Sequence, residues 1–260
     1  FLPSIPASAA LCITSKGVLC SGVQRQLVDL PYCRDLAEDG VFCGHAWGEN
    51  MWPLTVVRDV EAQAHRIGSY LARMGYKGIL GVDFLVEEEG RAAYAIEINP
   101  RFTGAFPMLS LLHIKEGAIP MDVFHMLEFQ GVSFEADARE LNARYARSPH
   151  GSHLLVFLLS EKPFLSRTGL EPGLYEQDCR SGAFSRARDA MDYSDISNDR
   201  QFVVVEGPPA GGELPVPSDP MCRICRLLFG FPVVDEQGSI SEYALAAADW
   251  VRERVLEEPQ

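Results

Sequence analysis

The sequence predicts an α/β chain of the α+β kind, with a mainly antiparallel sheet flanked by helices. Three observations predict it. Residues Ile79 to Val86 and Ala92 to Ile98 are strand-like apolar runs joined by the turn-like Glu88-Glu89-Gly90-Arg91, which makes a β-hairpin. Helical patterns stand on either side, over Asp59 to Met74 and Met121 to Phe129, giving helix, hairpin and helix in one lobe. The opening Phe1 to Leu30 reads as two or three further strands, with turns at Ser15-Lys16-Gly17 and near Ser21-Gly22.

Each element has its own signal. Asp59 is the expected N-cap of the first helix, whose apolar residues Ile67, Tyr70, Leu71 and Met74 precede a stop at Gly75. The second helix is ended by Gly131, after a segment rich in Leu and Met. Pro31 to Pro53 reads as a long loop containing Gly, Cys and Trp, and the charged stretch Phe134 to Arg147 as a linker or exposed helix. His153 to Leu159 and Phe202 to Val205 are expected strands, and Gly169 to Gly182 a loop. Pro208 to Gly212 and Pro215-Val216-Pro217 punctuate the chain beyond them. Helices are expected over Asp219 to Phe229 and Ser241 to Glu257, the latter with Tyr243, Ala244, Ala247, Trp250 and Val251 at helical spacing.

The hairpin carries the chemistry. With its turn centred on Gly90, Asp83 lies across from Glu97, and the period of two puts Asn99 on the same face as Glu97. Two carboxylates facing each other across a ladder repel. A cation between them removes the repulsion, and three oxygen donors in a row suit Mg²⁺, which takes carboxylates together with substrate phosphates. A hairpin with one solvated face accounts for Glu87-Glu88-Glu89 but not for Glu97-Ile98-Asn99-Pro100-Arg101. Arg101 offers a guanidinium that can grip a carboxylate or phosphate with two hydrogen bonds; the plainer reading is an ion pair with one of Glu87 to Glu89. Gly104 either brings backbone N–H groups beside phosphates or simply lets the chain turn.

Asp83-Phe84-Leu85-Val86, the turn, and Glu97-Ile98-Asn99-Pro100-Arg101-Phe102-Thr103-Gly104 resemble the metal-binding hairpin of the ATP-grasp superfamily. That superfamily includes carboxylate–amine ligases, biotin carboxylase and carbamoyl-phosphate synthetase. The resemblance implies ATP and Mg²⁺ (with Mn²⁺ as a substitute) as cofactors, and Asp83, Glu97 and Asn99 as the residues holding the metal against the ATP phosphates. Arg101 would be the catalytic residue facing the reacting carboxylate and its acyl phosphate. Gln24 and Gln26, alternating on a strand, fall where the family places polar contacts to nucleotide or substrate, although a solvated strand face explains them as well. The implied activity is ATP-dependent, ADP-forming amide or peptide bond formation. Carboxylation of the biotin-carboxylase kind is the runner-up. A non-catalytic partner that keeps a metal-binding lobe is the third reading, and the intact set Asp83, Glu97, Asn99 and Arg101 argues against it.

Phe1 to Ser8 followed by Leu11-Cys12-Ile13-Thr14 resembles the ATP-grasp segment just after the hinge that holds adenine, and Gly17 to Gln26 fits the family's central sheet. On this resemblance the chain is the carboxy-terminal portion of a longer ligase. Residues 1–132 would be the carboxy-terminal part of an ATP-grasp domain and 133–260 a small carboxy-terminal α/β domain. Two helices around Gly238-Ser239-Ile240 are similar to the small carboxy-terminal domain of pheganomycin-type peptide ligases, which implies amino acids or peptides as substrates.

Composition sets the remaining expectations. The 260 residues are 47% hydrophobic, enough to bury a core in one large domain or two small ones. A net charge of −13 argues against a nucleic-acid or anionic-membrane partner. No apolar run approaches the length of a membrane span, and Pro3 and Pro6 interrupt the apolar opening, so neither a membrane anchor nor a signal peptide is expected. Seven irregularly spaced cysteines suit a reducing cytoplasm. Cys222-Arg223-Ile224-Cys225 lacks a second pair for zinc, and Cys33 and Cys43 with His45 fall short in the same way; buried core cysteines on an amphipathic helix are the better reading of the former. His113 and His125 are expected to be structural. Oligomeric state is not legible, and a homo-oligomer is allowed.

Overall fold

The apolar opening of the chain becomes a long central strand. In the computed structural model, which describes residues 3–33, 40–88, 92–147, 150–159, 164–165, 169–209, 211, 213–214, 221–235 and 237–256, β1 (Ser4–Thr14) is followed by β2 (Gly17–Cys20) and β3 (Gln24–Val28). A 3-10 turn (Pro31–Cys33) leads to β4 (Phe42–Trp47), α1 (Leu54–Arg73) and the hairpin of β5 (Gly78–Glu87) and β6 (Ala93–Asn99). Then come α2 (Phe106–Lys115), α3 (Met121–Gln130) and α4 (Ala138–Tyr145), β7 (Gly151–Leu159), β8 (Phe164–Leu165), β9 (Gly173–Gln177) and β10 (Phe184–Arg188). A second 3-10 turn (Tyr193–Asp195), β11 (Gln201–Glu206), β12 (Glu213–Leu214), β13 (Met221–Phe229) and α5 (Glu242–Leu256) complete the chain. The fold is α+β with mostly antiparallel strands, as expected. Among the described residues no helix is long and apolar enough to cross a membrane.

Two compact units form: Phe1–Gln26 with Trp47–His150, and Leu27–Ala46 with Gly151–Gln260. The expected cut after residue 132 falls inside the first. Residues beyond it stay with that unit because α4 is bonded to its sheet: Asn142 Nδ2 donates to Val18 O (2.9 Å), and the Cys20 N–H donates to Asn142 Oδ1 (2.8 Å). Residues 27–46 go with the second unit because β4 lies beside β7.

In the first unit the strand order is β3-β1-β5-β6, with β2 also on β1, and every pairing is antiparallel. β1 lies inside this sheet and is buried on both faces over its second half, which explains its unbroken run of apolar and small residues. One face (Ala7, Ala9, Leu11, Ile13 with Leu80, Val82, Phe84 and Val86) packs on α1 through Val56, Val60 and Ala64. That stripe starts earlier than the one expected from Asp59. Pro53 takes the N-cap position with extended backbone, the helix starts at Leu54, and Tyr70 and Met74 are exposed. Asp59 instead accepts hydrogen bonds from Ala93 N (3.0 Å) and Gln63 Nε2 (3.1 Å), tying the helix to β6. α3 ends at Gly131 as expected, α2 forms the Leu- and Met-rich segment, and Asp137 caps α4 by accepting from Arg139 N and Glu140 N. The hairpin turn at Glu89 to Arg91 lies outside the described residues.

In the second unit the order is β10-β9-β11-β13-β7-β4, with β8 and β12 as a separate pair. Its core is aromatic: Phe202 lies against Tyr175, Phe184 and Phe229, and Trp250 of α5 closes over Tyr175. The expected helix over 241–257 is α5, with Ala244, Ala247 and Val251 fully buried. The structure corrects three expectations in this unit. The loop Pro31 to Pro53 contains β4, and the loop Gly169 to Gly182 contains β9. Of the helix expected over 219–229, the described part, Met221–Phe229, is the strand β13, so the tail is a strand and a helix rather than two helices. Its spacing of apolar residues is shared by both periods, and pairing to β7 and β11 decides between them. Residues Ala210, Gly212 and 215–220, in the expected breaks, lie outside the described residues. Gly44 of β4 has φ +139°, and a Cβ there would stand 2.0 Å from His153 O of β7; only glycine fits.

Candidate functional site

The site is a row of polar side chains on one face of the first unit's sheet. α1 covers the opposite face, and α3 packs against β1 and β5. Asp83 pairs with Glu97 across β5 and β6, as the sequence predicts, but by a different route. Nearer the turn the pairs are Val86 with Ala93, Leu85 with Tyr94 and Phe84 with Ala95; beyond Ile96 they resume as Asp83 with Glu97 and Val82 with Ile98. Ile96 is therefore the extra residue of a β-bulge, and it shifts the register by one to bring the two carboxylates opposite each other.

Amides hold Asp83 in place. Gln26 Nε2 donates to Asp83 Oδ1 (2.8 Å), and Asn99 Nδ2 donates to Asp83 Oδ2 (3.0 Å). Arg101 Nη2 donates in turn to Asn99 Oδ1 (3.1 Å), and Arg101 Nη1 to Phe102 O (3.2 Å). The tight turn that swings Arg101 back over the strand end is closed by Arg101 N donating to Asn99 O (2.7 Å). Burial, and then the facing Glu97, push the Asp83 carboxyl above its ordinary value; the two amides and the Arg101 guanidinium oppose them. Asn99 is buried, whereas Glu97 and Arg101 are exposed.

The row continues across β1 to β3. Ser8 pairs with Asp83 on one side and with Gln24 on the other, and Gln24 Nε2 donates to Ser8 Oγ (2.9 Å). Gln24 is 1% exposed, and its Oε1 is buried without a hydrogen-bond partner. A buried acceptor left unsatisfied carries a cost, and a donor on a bound molecule would relieve it. All six predicted residues, Gln24, Gln26, Asp83, Glu97, Asn99 and Arg101, thus lie on one connected array. Ser8 was missed, because it sits among small residues of an apolar strand; only the pairing of β1 with β5 exposes its place. The bond from Gln26 to Asp83 was missed for the same reason.

The donor set fits Mg²⁺. Two facing carboxylates and an amide oxygen are hard oxygen ligands, and a carboxylate oxygen that accepts one amide hydrogen bond keeps a second lone pair for a cation. The other candidates do not assemble. Among the described residues no group of three or more His, Cys, Asp or Glu side chains could hold a metal. Cys225 is a buried strand residue whose thiol is pushed up by burial, and the Cys222 side chain lies outside the described ones. His113 and His125 are on α2 and α3, and His125 Nδ1 accepts from Ile79 N (3.2 Å), a structural bond. Two surface cavities, of about 550 and 380 Å³, are lined by none of the array.

Residues 1–105, which contain the whole array, match the model of the ATP-grasp domain. This segment is similar to the ATP-grasp domain. No curated protein matches the chain. Among solved structures, a similar fold is found in the biotin carboxylase domain of Hydrogenobacter thermophilus 2-oxoglutarate carboxylase, a complex with MgADP, ADP and bicarbonate; the TM-score is 0.52 at 12% identity, over 88% of this chain and 42% of that one. Phosphoribosylglycinamide synthetase from Anaerococcus prevotii gives 0.50 at 12%, over 98% and 53%. The biotin carboxylase–ATP complex of Campylobacter jejuni gives 0.54 at 10%, over 87% and 41%. The chain therefore spans about half or less of the length of these structures, and at such identities the likeness is one of fold.

Proposed function

We propose that the protein is an ATP-dependent carboxylate–amine ligase, ADP-forming and Mg²⁺-dependent, acting on amino acids or peptides in the cytoplasm. The observation that carries this reading is the bulged pairing of Asp83 with Glu97, with Asn99 beside them and Arg101 turned back over the row. Asp83, Glu97 and Asn99 would hold the metal. Bound there, Mg²⁺ supplies positive charge against the phosphate oxygens of ATP.

The chain's own residues do the rest. Gln26 and Asn99 fix the Asp83 carboxylate through one hydrogen bond on each oxygen, so both lone-pair directions facing the row stay set before any ligand arrives. Gln24 Oε1 and Ser8 extend the polar surface towards the nucleotide or substrate. Arg101 is exposed and charged, and steadies the carboxylate as it becomes an acyl phosphate and then the tetrahedral intermediate formed by the attacking amine. The exchange balances: carboxylate and ATP give acyl phosphate and ADP, and the amine displaces phosphate to leave an amide.

Carboxylation of the biotin-carboxylase kind is the second reading, favoured by the fold shared with biotin carboxylases. Phosphate release from ATP by the full-length protein, assayed against pools of amino acids and short peptides, separates the two. Release that needs a carboxylate and an amine together supports the ligase. Release that needs bicarbonate and no amine moves the assignment to carboxylation. No release and no nucleotide binding would sink both.

A further inference from the structure

The second unit brings two thiols into contact. Cys33, at the end of the first 3-10 turn, and Cys43, in β4, have their Sγ atoms 3.4 Å apart, and both side chains are buried. Other groups hold the described residues on either side of that pair together. Asp29 N donates to Val41 O (3.0 Å), and the Asp29 carboxylate accepts from Gly40 N (3.0 Å) and Val41 N (2.7 Å). Cys33 N donates to Leu30 O (2.7 Å), and Tyr32 Oη donates to Leu155 O of β7 (2.8 Å). The entropy of bringing the loop ends together is thus already met before the sulfurs interact.

The contact couples the two thiols, and Cys43 Sγ also lies 3.3 Å from Val41 O. A metal does not account for the pair. His45, two residues beyond Cys43, has its Nδ1 3.0 Å from His153 Nε2, and no three-ligand group exists among the described residues.

We propose that Cys33 and Cys43 are a redox-active dithiol that small-molecule disulfides oxidise to an intramolecular disulfide. One of the two, as the thiolate, attacks one sulfur of the oxidant, forming a mixed disulfide and releasing one thiol. The other cysteine then attacks the protein sulfur of that mixed disulfide, breaks its bond and releases the second thiol. Two protein thiols and one small disulfide become one protein disulfide and two small thiols. The sulfurs close from contact to a bond of about 2 Å. Because both are buried, exchange waits on local opening, so the bridge forms slowly and resists reduction once closed.

The test incubates the folded full-length protein in glutathione buffers of increasing oxidised fraction. The samples are acid-quenched, alkylated under denaturing conditions and weighed intact, in a Cys179→Ser background because Cys179 is exposed. The expected result is the joint loss of two alkylatable thiols, mapped to Cys33 and Cys43 by peptide mass, with a higher thermal midpoint. Each single variant, Cys33→Ser or Cys43→Ser, should form no bridge and stop at glutathione attached to the cysteine that remains. Two thiols at Cys33 and Cys43 that stay alkylatable in oxidising buffer would overturn the proposal, as would a bridge mapped to any other pair. The unsubstituted pair decides this by itself if either serine variant fails to fold.

Discussion

Thr103 rests its methyl group on Gly81: a Cβ built on Gly81 would come within 2.6 Å of Thr103 Cγ2. Gly81 pairs with Asn99, so the missing side chain is what lets the turn carrying Arg101 fold back over the strand end. Gly81→Ala should push that turn outward and destabilise by about 1–3 kcal/mol, the usual range for overpacking. On the proposed function it should also cut turnover more than nucleotide binding, because Arg101 would move further than Asp83. Adding Thr103→Ser should restore most of both, and a double-mutant cycle over denaturation and phosphate release would measure the coupling. Additive effects would mean that the contact does not position the turn.

Glu97 and Asp83 repel in the metal-free protein, and the raised Asp83 carboxyl records part of that repulsion. A carboxyl raised by folding makes the unfolded chain the better acid, so its contribution to stability worsens as pH rises from about 4 through the raised value. Glu97→Gln should flatten this dependence and leave the fold intact, within about 0.5 kcal/mol or slightly more stable at neutral pH, since the side chain is exposed. On the proposed function it should at the same time abolish stabilisation by Mg²⁺ with ATP, which a metal held by both carboxylates would produce by mass action. Thermal midpoints with and without Mg-nucleotide, over a pH series, would check both; an unchanged Mg²⁺ shift would remove Glu97 from the site.

Acid should unfold the protein through its buried histidines. Burial holds His45 down to about 3 and His113 to about 4; burial, His45 and Arg226 push His153 well below its usual range. The folded state refuses these protons while the unfolded chain takes them near pH 6.5. Their contribution is therefore whole above about pH 6.5 and lost as pH falls towards the folded values, at about 1.4 kcal/mol per pH unit for each proton. His113 stacks on Tyr145 with ring centroids 4.3 Å apart, and both its ring nitrogens are buried without a hydrogen-bond partner. His113→Phe should keep the stack, match or exceed the parent by about 1 kcal/mol at neutral pH, and reduce the slope below pH 6.5 by one proton. Denaturant titrations between neutral and mildly acid pH would read the slope; an unchanged one would mean that His113 titrates normally in the fold.

Much of the first unit was legible because its signals are local. The opening strands, expected as two or three and found as β1, β2 and β3, the hairpin and a helix stopped by Gly131 arise from period and punctuation. What failed depended on pairing. Phe42-Cys43-Gly44-His45-Ala46-Trp47 has the composition of a loop, and it becomes β4 because β7 lies beside it and Gly44 fits under His153 O. Ile224, Cys225 and Leu228 satisfy helical spacing as well as a bulged strand, and the choice belongs to β7 and β11. The pairing of Asp83 with Glu97 was read from a turn centred on Gly90, yet the ladder near that turn is offset by one, and the bulge at Ile96 restores the match. The residues of the array could be named from sequence; Ser8 and the hydrogen bond from Gln26 to Asp83 could not, since neither has a neighbour in the chain that betrays it.

The bulge has a second consequence, for solubility. β6 is the last strand in the order of its unit, and it presents Tyr94, Ile96 and Ile98 at 47%, 57% and 44% exposure. A flat, regular strand of that composition would be a template on which other chains could add strands without limit. Ile96 interrupts its run of evenly spaced donors and acceptors, and Glu97 places a charge in the middle of the greasy stretch. The irregularity that brings Glu97 opposite Asp83 thus also makes that margin a poorer template for added strands.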